Sequence, residues 1–144
     1  MHDAILVPTD GSPVMDTVVA YADQLAQQHG AVIHLLYVVD TGSFGGLPME
    51  AALEDLTDQM HTEGKQALKT AQERVSGEAI TQVTEGSPAA AITSYAENNN
   101  CDLIVMGTSG RTGLDRAMIG SVAERVVRNA PVPVITMRQD SETP

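Results

Sequence analysis

Five short apolar runs, separated by stretches of helical periodicity and by two glycine-rich loops, leave this chain few ways to fold. The first, Asp3–Thr9, is a continuous apolar strand of the kind buried on both faces. Pro13–His29 then sets Met15, Val18, Val19, Ala22, Leu25 and Ala26 at helical spacing, with Ser12 as N-cap and Gly30 as the stop. Ala31–Val39 is a second β-branched run, and the glycine-rich loop Asp40–Pro48 follows it. Met49–Ser76 predicts a long helix, bent at Gly64 and ended by Gly77. Glu78–Glu85 alternates as a more exposed strand would. Ser87-Pro88 starts a helix that Asn98-Asn99-Asn100 closes. Asp102–Met106 and Pro131–Met137 are the last strands, with a helix from Gly120 to Asn129 between them.

Strands alternating with helices imply a parallel sheet with right-handed crossovers and helices on both faces. The 144 residues suit one domain with a single core, and no repeat, low-complexity tract or linker divides them. The class is α/β: a single-domain, open, parallel five-stranded sheet over residues 1–144, Rossmann-like, with 139–144 expected as a disordered tail. In such sheets ligands bind beyond the carboxyl ends of the strands, where the strand order reverses. If Asp3–Thr9 and Asp102–Met106 are the adjacent central strands, two loops line that crevice. One opens at Thr9-Asp10-Gly11-Ser12 and the other at Gly107.

Charge narrows the partners. Eight Lys and Arg against 19 Asp and Glu leave a net charge of −11, so general binding to nucleic acid or anionic lipid is not expected. Such an acidic, lysine-poor surface suits a salt-rich cytoplasm. No apolar run is long enough to cross a bilayer, and Met1-His2-Asp3 does not open a signal peptide; a cytoplasmic protein without membrane insertion is expected. The single cysteine, Cys101, cannot form an internal disulfide and reads as a buried thiol. His2, His29, His34 and His61 are scattered, none at metal-ligand spacing from another. No Lys or Arg precedes Lys65, while Arg111, Arg116, Arg125, Arg128 and Arg138 crowd the last third. Arg125 and Arg128 suit a helix C-terminus. Arg116 has Asp115 and Glu124 as surface partners, so Arg111 is the stronger candidate for contact with an anion.

Residues Gly107–Ser121 read G-T-S-G-R-T-G-L-D-R-A-M-I-G-S and lead into a helix. Glycines at 107, 110, 113 and 120 permit backbone conformations closed to other residues and leave room for a ligand against the main chain. The free N–H groups and positive dipole end of the following helix favour an anion, Thr108, Ser109, Thr112 and Ser121 add hydroxyls, and Ser121 suits the N-cap of that helix with or without a ligand. Together they form a phosphate cradle without a lysine. A Walker A loop is absent, since no lysine follows residue 69, and so is a G-x-G-x-x-G after the first strand.

The spacing Gly107-x2-Gly110-x9-Gly120-Ser121 matches the G-x2-G-x9-G-[ST] signature of the ATP-binding branch of the universal stress proteins. The opening Ile5–Ser12 (I-L-V-P-T-D-G-S) and the stretch Gly120–Val134 also resemble that family, over the whole length of the chain. The resemblance implies an adenine nucleotide alpha hydrolase-like sheet in the strand order 3-2-1-4-5. It also implies ATP, or AMP or ADP, in the crevice, with Mg2+ bridging the phosphates. Pro8, Thr9 and Asp10 would line the adenosine, Asp10 near the ribose hydroxyls, and the Val38 backbone would meet the adenine edge. Gly107, Gly110, Arg111 and Gly113 would follow the phosphates, Gly120, Ser121 and Val122 would close over them, and Met106 would also belong to the nucleotide site. Thr108-Ser109 replaces the Ser/Thr-His pair more usual there.

The leading function is an ATP-binding stress-response or regulatory module; the alternative is a dimeric interaction module of the same fold without nucleotide. Apart from Asp10 the cradle has no evident general base, nucleophile or metal-activating cluster, so an efficient enzyme is not expected. Slow ATP hydrolysis or autophosphorylation stays open. A phosphotransfer receiver domain fails on residues: the third strand ends in Val83-Thr84-Glu85-Gly86, and the needed late lysine is missing. Val132–Met137 is a short apolar edge strand suited to pairing across a two-fold axis, so a homodimer is expected.

Overall fold

Each apolar run becomes a strand of one sheet: β1 (Ala4–Pro8), β2 (Val32–Asp40), β3 (Ala79–Gly86), β4 (Leu103–Gly107) and β5 (Val134–Met137). The helices are α1 (Val14–His29), α2 (Glu50–Gln72), α3 (Pro88–Asn98) and α4 (Ser121–Asn129). The computed structural model describes residues 2–41, 50–108 and 119–138. The expected tail at 139–144 and most of the Gly107–Ser121 loop lie outside them.

All neighbouring strands are parallel, in the order β3-β2-β1-β4-β5. This is the order expected from the family resemblance. The period-two alternation of the central strands divides their side chains between two helical layers. Ile5, Val7, Ile33, Leu35, Tyr37, Leu103 and Val105 face α1 and α2, against Val18, Val19, Ala22, Leu68 and Ala71. Leu6, Leu36, Ile104 and Met106 face α3 and α4, against Ile92, Ala96, Ala123 and Val126. Each such fully buried aliphatic side chain contributes about 1.5–3 kcal/mol relative to exposure. β3 and β5 are the edges, as the exposed residues of Ala79–Gly86 and the half-buried ones of Val134–Met137 indicate.

Local chemistry explains where the elements stop. Gly30 takes the left-handed conformation at the end of α1 (φ 68°) and lets Ala31 N–H reach the Ala26 carbonyl at 2.9 Å. Asn100 does the same after α3 with φ 56°. α2 ends at Gln72, four residues before the expected limit. The chain leaves it through tight turns from Ala71 to Arg74 and from Gln72 to Val75. The Asp23 carboxylate of α1 then accepts the Ser76 amide (2.9 Å) and hydroxyl (2.8 Å) and an amide proton of Gln27 (3.0 Å). β5 starts at Val134 rather than Pro131, because Pro133 serves only through its carbonyl, which accepts Ile104 N–H at 3.0 Å.

Two expectations about caps change, and one glycine gains a packing role. Ser12 is not a side-chain cap: α1 begins after Pro13, and the Ser12 hydroxyl is buried without a hydrogen-bond partner. Gly120, not Ser121, is the N-cap of α4, so Ser121 occupies the first helical position. Gly64 serves close packing. A methyl group built there would lie 2.5 Å from Tyr37 Cδ1, so glycine is what lets α2 press onto β2.

His34, buried in β2, places Nδ1 2.8 Å from the Tyr95 hydroxyl of α3. Burial pushes its pKa below the ordinary 6.5, and the Glu78 carboxylate opposes that shift only in part. The folded state therefore holds a neutral imidazole, whereas the unfolded chain takes up a proton as the pH falls through 6.5. Its contribution to stability is intact above that value and is lost below it.

Two outcomes follow from this packing. Gly64→Ala should destabilise the fold by about 1–3 kcal/mol in urea unfolding, as overpacked cores do; an unchanged midpoint would remove the Tyr37 contact as the reason for the glycine. Wild-type stability should fall between about pH 7 and pH 5 more steeply than that of His34→Gln, and an identical slope in the two would dismiss His34 as its source.

Candidate functional site

The strand order reverses at β1, whose neighbours β2 and β4 are reached by crossovers on opposite faces of the sheet. The carboxyl ends of β1 and β4 therefore flank an opening no crossover covers. Pro8 pairs with Leu36, and Thr9 N–H donates to the Leu36 carbonyl at 2.8 Å, so Val38 lies two residues further along at the same rim. The turn after Thr9 is held by its own side chains. Thr9 Oγ1 accepts Gly11 N–H at 3.2 Å, and Asp10 Oδ1 accepts Ser12 N–H at 2.9 Å. Gly11, at φ 79°, supplies the left-handed residue the turn requires.

On the other side, β4 ends at Gly107, paired with Met137. Thr108 N–H donates to the Met137 carbonyl at 2.8 Å, and the Thr108 carbonyl accepts the N–H of Gly120. This last bond carries the chain from Thr108 back to the start of α4, whatever path residues 109–119 take. Gly120 accepts Glu124 N–H at 2.9 Å, and the amides of Ser121, Val122 and Ala123, the first turn of the helix, have no backbone partner among the described residues.

Of the expected site residues, Pro8, Thr9, Asp10, Val38, Met106, Gly107, Gly120, Ser121 and Val122 gather at this carboxyl rim. Gly110, Arg111 and Gly113 lie outside the described residues, as does Arg116. Met106 is 5% exposed, so its side chain is withdrawn from a ligand, while Val38 is partly buried against the same α3–α4 core. Gly107 and Gly120 avoid the left-handed region, Gly120 sitting at φ −68°, ψ 159°. Contrary to expectation, these two are not required for an unusual backbone.

A cavity of about 360 Å³ opens beside this rim. It is lined by Asp40 and Thr41 from the end of β2, Ser87, Pro88 and Ala89 from the start of α3, and Ser121, Val122 and Arg125 from the start of α4. Its volume is that of a small-molecule site. Two helix N-termini flank it, with their positive dipole ends. Arg125 was assigned by sequence to a helix C-terminus. In a helix of only nine residues it stands one turn from Ser121, and helical side chains lean toward the N-terminus. Asp40, Thr41 and Ser87 escaped the sequence reading. The signal was present, because each follows the carboxyl end of a strand, the ligand side of an α/β sheet.

Cys101 precedes β4 at the opposite end of the sheet, and burial, with Asp102 adding, pushes its thiol up to about 11. His2 and His29, far apart in sequence, come together with ring centroids 5.2 Å apart, and His2 Nδ1 is 3.1 Å from Asp102 Oδ1. Among the described residues no group of three or more His, Cys, Asp or Glu could hold a metal ion. No described helix is long and apolar enough to cross a membrane.

A family model described as Universal stress protein family matches residues 1–138. Universal stress protein MJ0531 of Methanocaldococcus jannaschii is 39% identical over 142 residues, covering 96% of this chain and 84% of that protein. The structure of the universal stress protein UspA from Lactobacillus plantarum superposes with a TM-score of 0.82 at 30% identity, over 94% of this chain and 97% of that one. Two more distant structures share the fold. A universal stress protein in complex with cAMP has a TM-score of 0.69 at 20% identity, covering 96% of this chain and 98% of its own. One from Archaeoglobus fulgidus in complex with dAMP has a TM-score of 0.65 at 23% identity, covering 93% and 96%.

Proposed function

Since the chain belongs to the universal stress protein family, we propose that it binds an adenine nucleotide, ATP in preference to AMP or ADP, at the carboxyl rim of β1 and β4. The observation that carries this reading is the hydrogen bond from Gly120 to Thr108. It sets the first turn of α4 against the end of β4, where a phosphate chain would be gripped by main-chain amides. Pro8, Thr9 and Asp10 line the adenosine, with Asp10 near the ribose hydroxyls, and the Val38 backbone meets the adenine edge. Met106 and Gly107 flank the phosphates through their main chain. Gly110, Arg111 and Gly113 follow them, and Gly120, Ser121 and Val122 close over them. Arg125 and Ser87 add polar groups at the wall of the neighbouring cavity.

Mg2+ would be held chiefly by phosphate oxygens, for no described cluster of carboxylates or imidazoles supplies a site of its own. Nucleotide-bound and nucleotide-free forms then present different surfaces around α4, which is how a cytoplasmic stress-response module without efficient catalysis would signal. β5, an edge strand with four half-buried residues, is the surface through which two copies pair.

Isothermal titration with ATP, ADP and AMP, with and without Mg2+, is expected to give saturable binding, and mass analysis of the purified protein to find bound nucleotide. Gly120→Val should weaken ATP by at least about tenfold, roughly 1.4 kcal/mol, with an unchanged circular dichroism spectrum. Retained affinity in that variant would refute the placement. No affinity in either protein would leave the non-nucleotide dimeric module, and light scattering that finds a monomer would dismiss the β5 pairing.

A further inference from the structure

A second concave site lies away from the crevice, between α2 and the edge strand β3. It has a volume of about 420 Å³, and its polar lining is His61, Lys65, Lys69, Gln72, Thr81 and Gln82. The spacing 61, 65, 69, 72 is one stripe of a helix, so α2 directs these four side chains to one side. Lys65 and Lys69 are the only lysines of a chain with 19 acidic residues and a net charge of −11. Neither forms an ion pair among the described residues, whereas Arg74 holds Asp16 at 3.0 Å and Arg128 holds Glu124 at 3.3 Å. The Glu85 carboxylate at this end is engaged by His61, with Nε2 2.6 Å from Oε2. Gln82 Nε2 donates to the Val83 carbonyl at 2.9 Å and Gln72 Nε2 to the Ala79 carbonyl at 3.5 Å, which orients both amides along β3. As an edge strand, β3 also turns part of its backbone N–H groups outward.

We propose that this groove is a second ligand site, for a phosphate group, borne by a small metabolite or free in solution. Two ammonium groups one helical turn apart, without an ion pair among the described residues, match a compact dianion, where a single carboxylate would neutralise only one of the two charges. A small ligand fits a cavity of this volume. A long polyanion would meet the repulsion of the remaining acidic surface. The site is independent of the nucleotide reading, since it shares no residue with the carboxyl rim.

The test is a titration of isotope-labelled protein, followed through its backbone amide resonances, with inorganic phosphate and separately with glycerol 3-phosphate, against chloride at matched ionic strength. Saturable shifts confined to residues 65–72 and 80–83 are expected with both phosphates and not with chloride. A tighter ester identifies a phosphorylated metabolite, and equal affinities identify free phosphate. Lys65→Gln/Lys69→Gln should weaken binding by at least about tenfold, and Lys65→Arg/Lys69→Arg should keep it. Shifts that do not saturate, that chloride reproduces, that survive in the double glutamine variant or that fall only at residues 107–122 would overturn the proposal. Both variants sit on an exposed helical stripe, and their native amide spectra check that they fold.

Discussion

Ile5, Leu6 and Val7 are fully buried because β1 lies between β2 and β4 with helices above and below, and a strand so enclosed has only its ends left to meet solvent. The right-handed crossover rule then decides the rest. β1 to β2 to β3 builds outward on one side, with α1 and α2 on one face; β4 and β5 build outward on the other side, with α3 and α4 on the opposite face. A gap at the carboxyl ends of β1 and β4 is a geometric consequence of that division. It would exist for any sequence with this order.

What this sequence adds is the chemistry of the rim. The Thr9–Ser12 turn is braced by the side chains of Thr9 and Asp10, so its backbone is set before any ligand arrives. Across the gap, Thr108 is bonded in both directions, to Met137 through its N–H and to Gly120 through its carbonyl. The edge strand, the central strand and the start of α4 are thus tied at one residue. Preorganisation of this kind lowers the entropic cost of binding a flexible phosphate chain.

The placement of strands and helices and the helix faces were legible because they depend on periodicity and on glycine and proline punctuation, which act locally; the order of the strands in the sheet came from the family resemblance. Asn98–Asn100 and Gly30 stopped helices as their chemistry dictates. Features set by tertiary contact were not legible. Gly64 looked like a bend until Tyr37 was seen beneath it. The end of α2 depended on Asp23, 53 residues before the Ser76 it holds. Arg125 reads in sequence as a helix C-terminal residue because nothing local shows that the first turn of α4, one turn before it, lies at the mouth of a cavity. Asp40 and Ser87 carry no motif; only the meeting of two strand ends makes them neighbours.

The anchoring of α2 is uneven. Among its described side chains, from Glu54 onward, the buried residues Gly64, Leu68 and Ala71 all lie in the second half, and Asp23 clasps the chain just beyond it, whereas Glu54, Asp55, Leu56, Asp58 and Gln59 stand in solvent. Melting the turns from Glu54 to Gln59 therefore forfeits little packing, while melting the trailing ones withdraws Leu68 and Ala71 from the core. Amide exchange along this helix should run as a gradient, fast at the amino end and slow toward Ala71, with the leading turns fraying while the trailing turns stay docked on the sheet.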